Sequence, residues 1–455
     1  MNTNNLTRRQ FLATASVGTF AAVTSAKIPA FGNISKKAGE LAILGGRPVR
    51  TKPFSCTWPI WDKSDEELLL SVMRSRSWSR DKVVEKAEKI FAELMGAKYC
   101  LATSCGTYAL VTSLHALGIG AGDEVLTTPY TFVATIDAIL LVNALPVFVD
   151  TDPETVMMNP DKIEEKITEH TAAILPVHIE GSVCDMDRIN AVAKKHNLKV
   201  VEDACQAHLA EWRGKKVGTL GDLGCFSFQT TKDIPAGEGG AILGSDKQIM
   251  DICFSYHNFG RPHGSVTGDG YPILGTKCRM TEYQAAILIP QMARAEKQNV
   301  RMAENAEYLT SRLKEIPGIV PRKNYEGTTK TAFYTYSFRY KKEHFDGLPR
   351  EKFLNALRAE GVHFAAGSGP DNCHNLAVKG GFIEKTLNSK TFQKIYSKER
   401  LDKYREQNDC PDNDQLCKEV VCCDGKKIFL YTDKKDMDDI ADAILKVYEN
   451  KSKLL

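Results

Sequence analysis

Short apolar runs alternate with amphipathic helical segments over residues 99–244, and this alternation limits the fold more than any other feature of the chain. The strand-like runs are Tyr99–Thr103, Glu124–Thr127, Pro146–Asp150, Ala172–Val177, Lys199–Asp203, Cys225–Gln229 and Ala241–Gly244. Helical periodicity lies between them at Thr107–Leu117, Asp161–Thr168 and Met186–His196. Repetition of this kind requires crossover connections, and therefore a largely parallel sheet flanked by helices. We predict an α/β fold with a mostly parallel seven-stranded sheet and functional groups at the carboxyl ends of its strands.

The segments on either side extend the prediction to a second domain, because a chain of 455 residues exceeds what one simple core accommodates. Further helical patterns lie at Asp65–Arg74, Lys82–Leu94, Thr281 to about Glu315, Arg350–Glu360 and Lys435–Glu449, and a hairpin-like run lies at Thr331–Tyr340. Residues 363–425 are polar and weakly patterned, which predicts long loops over a site. We place a large domain at 36–295 and a smaller α+β C-terminal domain at 296–455.

The first 35 residues differ in kind from the rest of the chain. Paired Arg8 and Arg9 precede Phe11-Leu12, and residues 13–26 form a mild run of small and apolar residues without an acid. This order is typical of a twin-arginine signal, whereas a membrane anchor needs roughly 20 strongly apolar residues. We therefore predict export of the folded protein to the periplasm by the twin-arginine machinery, with Ala26 as a candidate cleavage position.

Charge and cysteine content exclude two classes of partner. Sixty Lys and Arg against 57 Asp and Glu give a net charge of +3 without a basic stripe, so no nucleic-acid partner is predicted. The thirteen cysteines include no Cys-x-x-Cys pair, so no zinc or other metal site is predicted. Export to an oxidising compartment predicts one or two disulfides within residues 373–423.

One lysine stands between a strand and a glycine-rich turn. Lys232 follows Phe226-Ser227-Phe228 and precedes Gly237-Glu238-Gly239-Gly240. An amine on a short loop beside the Ser227 hydroxyl suits capture of an aldehyde cofactor such as pyridoxal phosphate. The alternative is a solvent-exposed loop lysine, because most lysines are exposed.

Three other segments fall at strand ends, where a cofactor can meet them together. Gly106 and Thr107 begin a helix whose free N–H groups suit a phosphate, although such a start is also an ordinary cap. Asp203 ends an apolar strand, where its carboxylate suits a protonated pyridine nitrogen and Gln206 suits a ring oxygen, or where the acid caps the next helix. Phe132 suits stacking on a cofactor ring, or packing in the core.

Taken together, these segments resemble the DegT/DnrJ/EryC1/StrS family of pyridoxal-phosphate-dependent sugar aminotransferases, which have the fold-type I architecture. The resemblance runs from about Leu41 to the C-terminus. Its motifs are Ser-Cys-Gly-Thr-x-Ala-Leu at 104–110, Gly-Asp-Glu-Val at 122–125, Tyr-Thr-Phe-Val-Ala-Thr at 130–135, Pro-Val-Phe-Val-Asp at 146–150, Pro-Val-His at 176–178, Glu-Asp-Ala-x-Gln-Ala at 202–207, Phe-Ser-Phe-x-x-x-Lys at 226–232, Gly-Glu-Gly-Gly at 237–240 and Arg-Met-Thr-Glu at 279–282. Gly-Gly-Arg-Pro-Val-Arg at 45–50 is most similar to the branch that aminates cyclitols and related keto rings.

The resemblance implies a role for each candidate residue. It makes Lys232 the lysine that binds pyridoxal 5'-phosphate covalently, Asp203 the pyridinium partner and Gln206 the ring-oxygen contact. Phe132 then stacks on the ring, and the phosphate is held by Gly106, Thr107 and Ser227. The implied reaction transfers an amino group from glutamate or glutamine to a keto sugar or keto cyclitol, in a homodimer whose sites are completed by the partner subunit.

One departure from the family pattern concerns the expected contact between subunits. The family commonly reads Gly-x-Asn-Tyr-Arg-Met, where that asparagine reaches the neighbour's phosphate. This chain has Lys277 in place of the asparagine, and we expect its amine to meet the same phosphate as a stronger charge.

Two other functions remain open from the sequence. A catalytically silent protein of the same fold that binds pyridoxal phosphate or a sugar in the cell envelope is the first, since amino donors are scarce outside the cytoplasm. A nicotinamide dehydrogenase is the second, and it is disfavoured because no Gly-x-Gly-x-x-Gly follows the first strand. The family's dehydratases carry histidine at the position of Lys232, which argues against that branch.

Overall fold

The computed structural model describes residues 39–54, 56–367, 381–423 and 430–455. Residues Glu40–Leu455 form one compact unit. The predicted twin-arginine signal lies outside the described residues. Within the described ranges, no helix combines the length and apolar character needed to cross a bilayer.

The predicted seven-stranded sheet is confirmed. Its strands are β1 Tyr99–Thr103, β2 Glu124–Thr127, β3 Leu145–Phe148, β4 Thr171–Ile174, β5 Lys199–Asp203, β8 Leu223–Ser227 and β9 Gly240–Gly244; β6 Glu211–Trp212 and β7 Lys215–Lys216 form a small hairpin outside it. The order is β1-β9-β8-β5-β4-β2-β3. Only β9 runs antiparallel to its neighbours, β1 and β8. Every residue of β2, β3 and β8 is buried, because helices cover both faces of the sheet.

Helices surround this sheet and continue into the C-terminal part. They are α1 Lys63–Ser75, α2 Lys82–Met95, α3 Gly106–Ala116, α4 Val133–Leu141, α5 Met186–His196, α6 Lys247–His257, α7 Glu282–Leu313, α8 Arg350–Ala359, α9 Phe382–Leu387, α10 Lys390–Ile395, α11 Lys398–Gln407, α12 Pro411–Glu419 and α13 Lys434–Glu449. The 32-residue α7 begins with a capping box, in which the Thr281 and Gln284 side chains each accept the other's backbone N–H.

A second, antiparallel sheet supports the C-terminal part of the fold. Its strands are β10 Ile319–Pro321, β12 Ser337–Tyr340, β14 Val420–Cys423 and β13 Phe364–Ala366, in that order; β11 Thr328–Lys330 instead pairs with β6. The compact unit holds two hydrophobic cores, one around the large sheet and one between this second sheet and helices α7, α8 and α13. Met302 and the later apolar residues of α7 belong to the second core, whereas Ile383 to Cys417 belong to the first. The domain limits at 35 and 295 stay predictions.

Three local predictions were wrong. Residues 161–168 form two 3-10 turns instead of a helix, because Ile163 is their one buried residue and offers no continuous apolar face. The run 331–340 is not a hairpin, since β11 and β12 belong to different sheets. Residues 381–419 are mostly helical instead of loops, with Tyr404 and Asn408 hydrogen-bonded to the backbone of edge strand β3.

The disulfides predicted within residues 373–423 are also not formed by the described cysteines. None of Cys410, Cys417, Cys422 and Cys423 is joined in a disulfide, and Cys373 lies outside the described residues. Cys410 is buried against the Phe148 carbonyl and Cys423 against the Thr335 hydroxyl, so core packing holds these thiols apart.

Candidate active site

A cavity of about 370 Å³ opens at the carboxyl ends of β5 and β8. Seven of the eight residues predicted from the sequence line it: Gly106, Thr107, Phe132, Asp203, Gln206, Ser227 and Lys232. They come from the start of α3, the start of α4, the end of β5 and the β8–β9 loop. The parallel sheet brings these segments together because its strand ends meet along one edge.

Lys232 is buried at 9% exposure, so it is not a solvent-exposed loop lysine. Its backbone N–H donates to the Gln229 carbonyl at 2.8 Å, which closes a turn directly after β8. Its Nζ lies 4.2 Å from the centre of the Tyr334 ring. The Tyr334 hydroxyl in turn lies 2.8 Å from the Thr231 hydroxyl. The loop and the tyrosine thus hold one amine at the cavity wall.

The two acids at the end of β5 have different environments. Glu202 accepts backbone N–H groups from Gly218, Leu220 and Gly221 at 2.7 Å each, and its carboxylate also lies 3.0 Å from His178 Nε2. These bonds occupy Glu202 inside the fold. Asp203 lines the cavity instead and is therefore the acid available to a bound group.

Hydrogen bonds from neighbouring residues position the Asp203 carboxylate. Its Oδ2 accepts the Thr135 hydroxyl at 2.7 Å, and its Oδ1 accepts the Cys205 N–H at 3.2 Å. Thr135 is itself 2.7 Å from the Thr131 hydroxyl. Burial, and then the charge of Asp203, raise the pKa of the Cys205 thiol, so this cavity-lining thiol stays protonated beside Lys232.

The amino-terminal end of α3 forms another part of the cavity wall. Its N-cap residue, Cys105, makes no side-chain capping bond, so the first N–H groups of the helix are available to an anion. A Cβ at Gly106 would lie 2.8 Å from the Ser227 Cβ and 2.9 Å from the Cys205 Sγ. Only glycine allows helix and strand to approach this closely, and the approach sets Ser227 beside the helix end.

Gln206 and Phe132 also line the cavity. The Gln206 Oε1 accepts the Glu180 N–H at 2.9 Å, so the amide's other hydrogen-bonding group is the Nε2 donor. A donor is the group that a ring oxygen requires. Phe132 is 54% exposed, which leaves its ring face accessible for stacking.

Lys277 is the predicted site residue that this structure does not bring to the cavity. It is exposed, forms a bridge with Asn258 and is not part of the cavity lining. Its expected role concerns the partner subunit's site, so it stays a prediction.

Several lining residues were not identified from the sequence: Thr131, Thr135, Gln229, Thr231, Glu238 and Tyr334. Thr131 and Thr135 are four apart and flank Phe132, a spacing that places both hydroxyls on one side of a helix start. Tyr334 comes from a segment about a hundred residues beyond Lys232 in the sequence, so no local pattern signals it.

The chemistry of this cavity fits pyridoxal phosphate. An amine, a buried carboxylate, an amide donor and an uncapped helix end are the partners of its aldehyde, ring nitrogen, ring oxygen and phosphate, respectively. The volume falls within the range of small-molecule sites, about 300–1,000 Å³.

Comparison with known proteins agrees with this chemistry. The profile of the DegT/DnrJ/EryC1/StrS aminotransferase family matches residues 59–378. The chain is 32% identical over 437 residues to an L-glutamine:2-deoxy-scyllo-inosose aminotransferase of Streptoalloteichus tenebrarius, covering 91% of this chain and 99% of that protein. It is 40% identical over 331 residues to a Micromonospora echinospora protein provisionally named L-glutamine:3-amino-2,3-dideoxy-scyllo-inosose aminotransferase, covering 71% and 78% of the two chains.

Among solved structures, an aminotransferase from Psychrobacter cryohalolentis superimposes with a TM-score of 0.75 at 29% identity. The match covers 88% of this chain and all of that one, 100%. The shared architecture therefore extends over both cores.

Proposed function

The chain belongs to the DegT/DnrJ/EryC1/StrS aminotransferase family, and we propose that it transfers the amino group of L-glutamine to a keto cyclitol with pyridoxal 5'-phosphate as cofactor. The observation that carries the cofactor assignment is the meeting of Lys232, Asp203 and the uncapped end of α3 in one cavity. The substrate assignment is supported by the names of two relatives, both glutamine-dependent aminotransferases of inosose rings.

When bound, pyridoxal phosphate supplies an aldehyde that captures amino groups and a ring that accepts electrons from the donor's α-carbon. Asp203 holds a proton at the ring nitrogen, and its orientation for this task is fixed by the Thr135 and Cys205 hydrogen bonds. Gln206 and Phe132 line the same cavity, where the Gln206 Nε2 would donate to the ring oxygen and the Phe132 ring would stack on the cofactor ring. Gly106, Thr107 and Ser227 would bind the phosphate at the end of α3, where the helix dipole favours an anion.

Lys232 has two tasks in this proposal. Its Nζ would hold the cofactor between turnovers, and the same amine would serve as the base that removes and returns the α-proton of the substrate. The Tyr334 ring, whose centre lies 4.2 Å from Nζ, borders this amine at the cavity wall.

A donor and acceptor screen tests the function. Protein loaded with pyridoxal phosphate is mixed with L-glutamine or L-glutamate, and the absorbance of the bound cofactor is followed. We expect glutamine to change it, and 2-deoxy-scyllo-inosose to restore it with formation of an amino cyclitol detected by mass spectrometry. A keto sugar nucleotide is the comparison acceptor. A cofactor absorbance that no donor changes would establish the silent binding protein instead.

We propose further that the working unit is a homodimer in which Lys277 reaches the phosphate of the partner subunit. Its exposure outside its own cavity supports this arrangement. The test mixes inactive Lys232→Ala and Lys277→Ala subunits. A contact across the subunits restores about a quarter of wild-type activity, from the one complete site of each mixed dimer. A contact within one chain restores none.

Export to the periplasm by the twin-arginine route is proposed from residues 8–26 alone. Fractionation of cells that produce the full chain tests it, with Arg8→Lys and Arg9→Lys together as the control. We expect the wild-type protein in the periplasm and the double variant in the cytoplasm, both carrying cofactor. Equal distribution of the two proteins would contradict the signal.

A further inference from the structure

A strained turn after β4 connects the cavity with the second core. Glu180 lies in the turn Ile179–Gly181 with φ 57° and ψ 15°, a left-handed conformation that residues other than glycine seldom adopt. A residue other than glycine keeps this backbone conformation only when the surrounding contacts hold it there. Glu180 is 4% exposed, so those contacts are inside the protein.

Both the backbone and the side chain of Glu180 are engaged. Its N–H donates to the Gln206 Oε1 at 2.9 Å. Its carboxylate accepts the Tyr130 hydroxyl at 3.1 Å, the Arg322 guanidinium at 2.8 Å and the Ser337 hydroxyl. Burial, and then the Glu180 charge, raise the pKa of Tyr130, so its hydroxyl stays protonated and donates.

These partners come from distant parts of the chain. Arg322 follows β10 directly, and Ser337 begins β12, so one lies next to the second sheet and the other within it. The side chain of Arg322 is 7% exposed, and that of Glu180 is 5% exposed. A buried ion pair with further hydrogen bonds defines one geometry, because any displacement leaves a charge without its partner.

The same turn also sets the segment that carries Tyr334. The Ala332 N–H donates to the Gly181 carbonyl at 2.9 Å. A Cβ at Gly181 would lie 2.6 Å from the Phe333 nitrogen and 2.8 Å from the Tyr334 nitrogen. The turn therefore contacts the backbone of the residue whose ring lies against Lys232.

We propose that Glu180 is a positioning residue, which fixes the Gln206 amide with its Nε2 toward the cofactor because Arg322, Ser337 and Tyr130 hold the Glu180 carboxylate in place. This inference rests on the proposed function, since it assigns the support of a cofactor contact. It makes the second sheet part of the cofactor site without any of its strands touching the cavity. Removing the Glu180 charge then alters the cofactor through Gln206.

The test compares Glu180→Gln with Gln206→Ala. Both are expected to raise the dissociation constant of the apo protein for pyridoxal phosphate about tenfold, the effect of one hydrogen bond to a charged group. Both also shift the pH midpoint of the bound cofactor's absorbance in the same direction. The double variant shows the effect of Gln206→Ala alone, because the two residues act through one contact. Glu154→Gln, which removes the acid of an exposed ion pair with Lys323, is the matched control and changes neither quantity.

Three results separate the outcomes. If Glu180→Gln lowers only the melting temperature, or if the two effects add, the positioning role is overturned. If the wild-type protein shows no cofactor absorbance, the proposed function fails together with this inference. If Glu180→Gln does not fold, Ser337→Ala gives the second measurement, since it removes one donor and keeps the ion pair. It then shifts the same midpoint by a smaller amount, and an unchanged midpoint overturns the role.

Discussion

Asp150 and Asp203 lie at the carboxyl ends of two parallel strands of one sheet, and both are buried, yet they belong to regions with different purposes. Asp150 accepts the N–H groups of Thr151, Asp412 and Asn413 at 2.8–3.0 Å and the Lys162 ammonium at 3.1 Å. Asp203 accepts two donors from the described residues, Thr135 and Cys205.

The difference lies in how much hydrogen-bonding capacity remains. An ionised carboxylate has about four acceptor sites. The four donors at Asp150 use them all and fasten α12 to the sheet edge. At Asp203 capacity remains, and the residue lines the cavity. A strand-end acid is therefore a candidate for chemistry when the fold leaves part of it unsatisfied.

The largest expected effect is the loss of turnover when a residue of the cavity, Lys232, is replaced. Lys232→Ala removes the amine that we propose binds the cofactor and moves the proton, so we expect turnover to fall by about 10⁴-fold or more. The cofactor absorbance is expected to disappear with it. The melting temperature of the apo protein is expected to stay near that of the wild type, because the side chain ends at a cavity instead of in the core. Retained cofactor absorbance would remove Lys232 from its role.

At Asp150 we expect the opposite outcome, a loss of stability without a loss of turnover. Asp150→Asn keeps the shape but places an amide against N–H donors of α12 and removes one of the two charge partners of Lys162, which also pairs with Asp412. We expect a loss of about 3 kcal/mol of stability, measured by the midpoint of urea unfolding. The folded fraction keeps wild-type turnover. A variant that is stable and inactive would reverse the assignment of the two aspartates.

Asp203→Asn is the matched change in the cavity. Asparagine keeps both described hydrogen bonds in part but carries no charge for the proposed task of holding a proton at the cofactor's ring nitrogen. We expect turnover to fall about 100-fold and cofactor binding to weaken, with little change in urea unfolding. If Asp203→Asn loses as much stability as Asp150→Asn, both aspartates stabilise the fold and the contrast between them is wrong.

The sequence predicted the large sheet because its strands are buried on both faces, so their apolar runs are continuous and short. It did not predict α9 to α12, since the residues that place them, such as Tyr404, Asn408 and Arg400, are polar or amphipathic and acquire meaning only against β3 and Glu124. The large sheet could be predicted from the order of strands and helices along the chain. The positions of α9 to α12 depend on tertiary contacts, which that order does not contain.

The candidate site divides in the same way. Asp203 ends β5, Gly106 begins α3 and Lys232 lies in the loop between β8 and β9, where local patterns mark them. Thr135 bonds to a residue 68 positions away, and Glu180 to one 142 positions away. The residue pattern of a single helix or strand does not predict contacts between such distant positions. The supports of the site were therefore found from the structure, whereas the groups they support were visible in the sequence.

The smallest expected effect is the pH dependence of stability that Glu124 causes near the sheet edge to which Asp150 fastens α12. Glu124 begins β2 and is fully buried, with Arg400 of α11, Gln407 and Thr168 donating to its carboxylate. Burial by itself raises the pKa of Glu124, but these hydrogen bonds and the Arg400 charge outweigh it and lower the pKa below its ordinary value. The folded state thus binds this proton less readily than the unfolded chain does. Its contribution is complete above the unfolded pKa of about 4.3 and is lost as the pH falls through the folded value.

Glu124→Gln removes this titration while keeping the size of the side chain. Urea unfolding of the wild type is therefore expected to weaken more steeply below about pH 4.3 than that of the variant, and the two curves converge in acid. At neutral pH the variant is less stable, since Arg400 then lacks its charge partner. Parallel curves over the whole range would mean that Glu124 does not link α11 to the sheet through its charge, and that uncharged contacts, such as those of Tyr404 and Asn408 with β3, hold this segment.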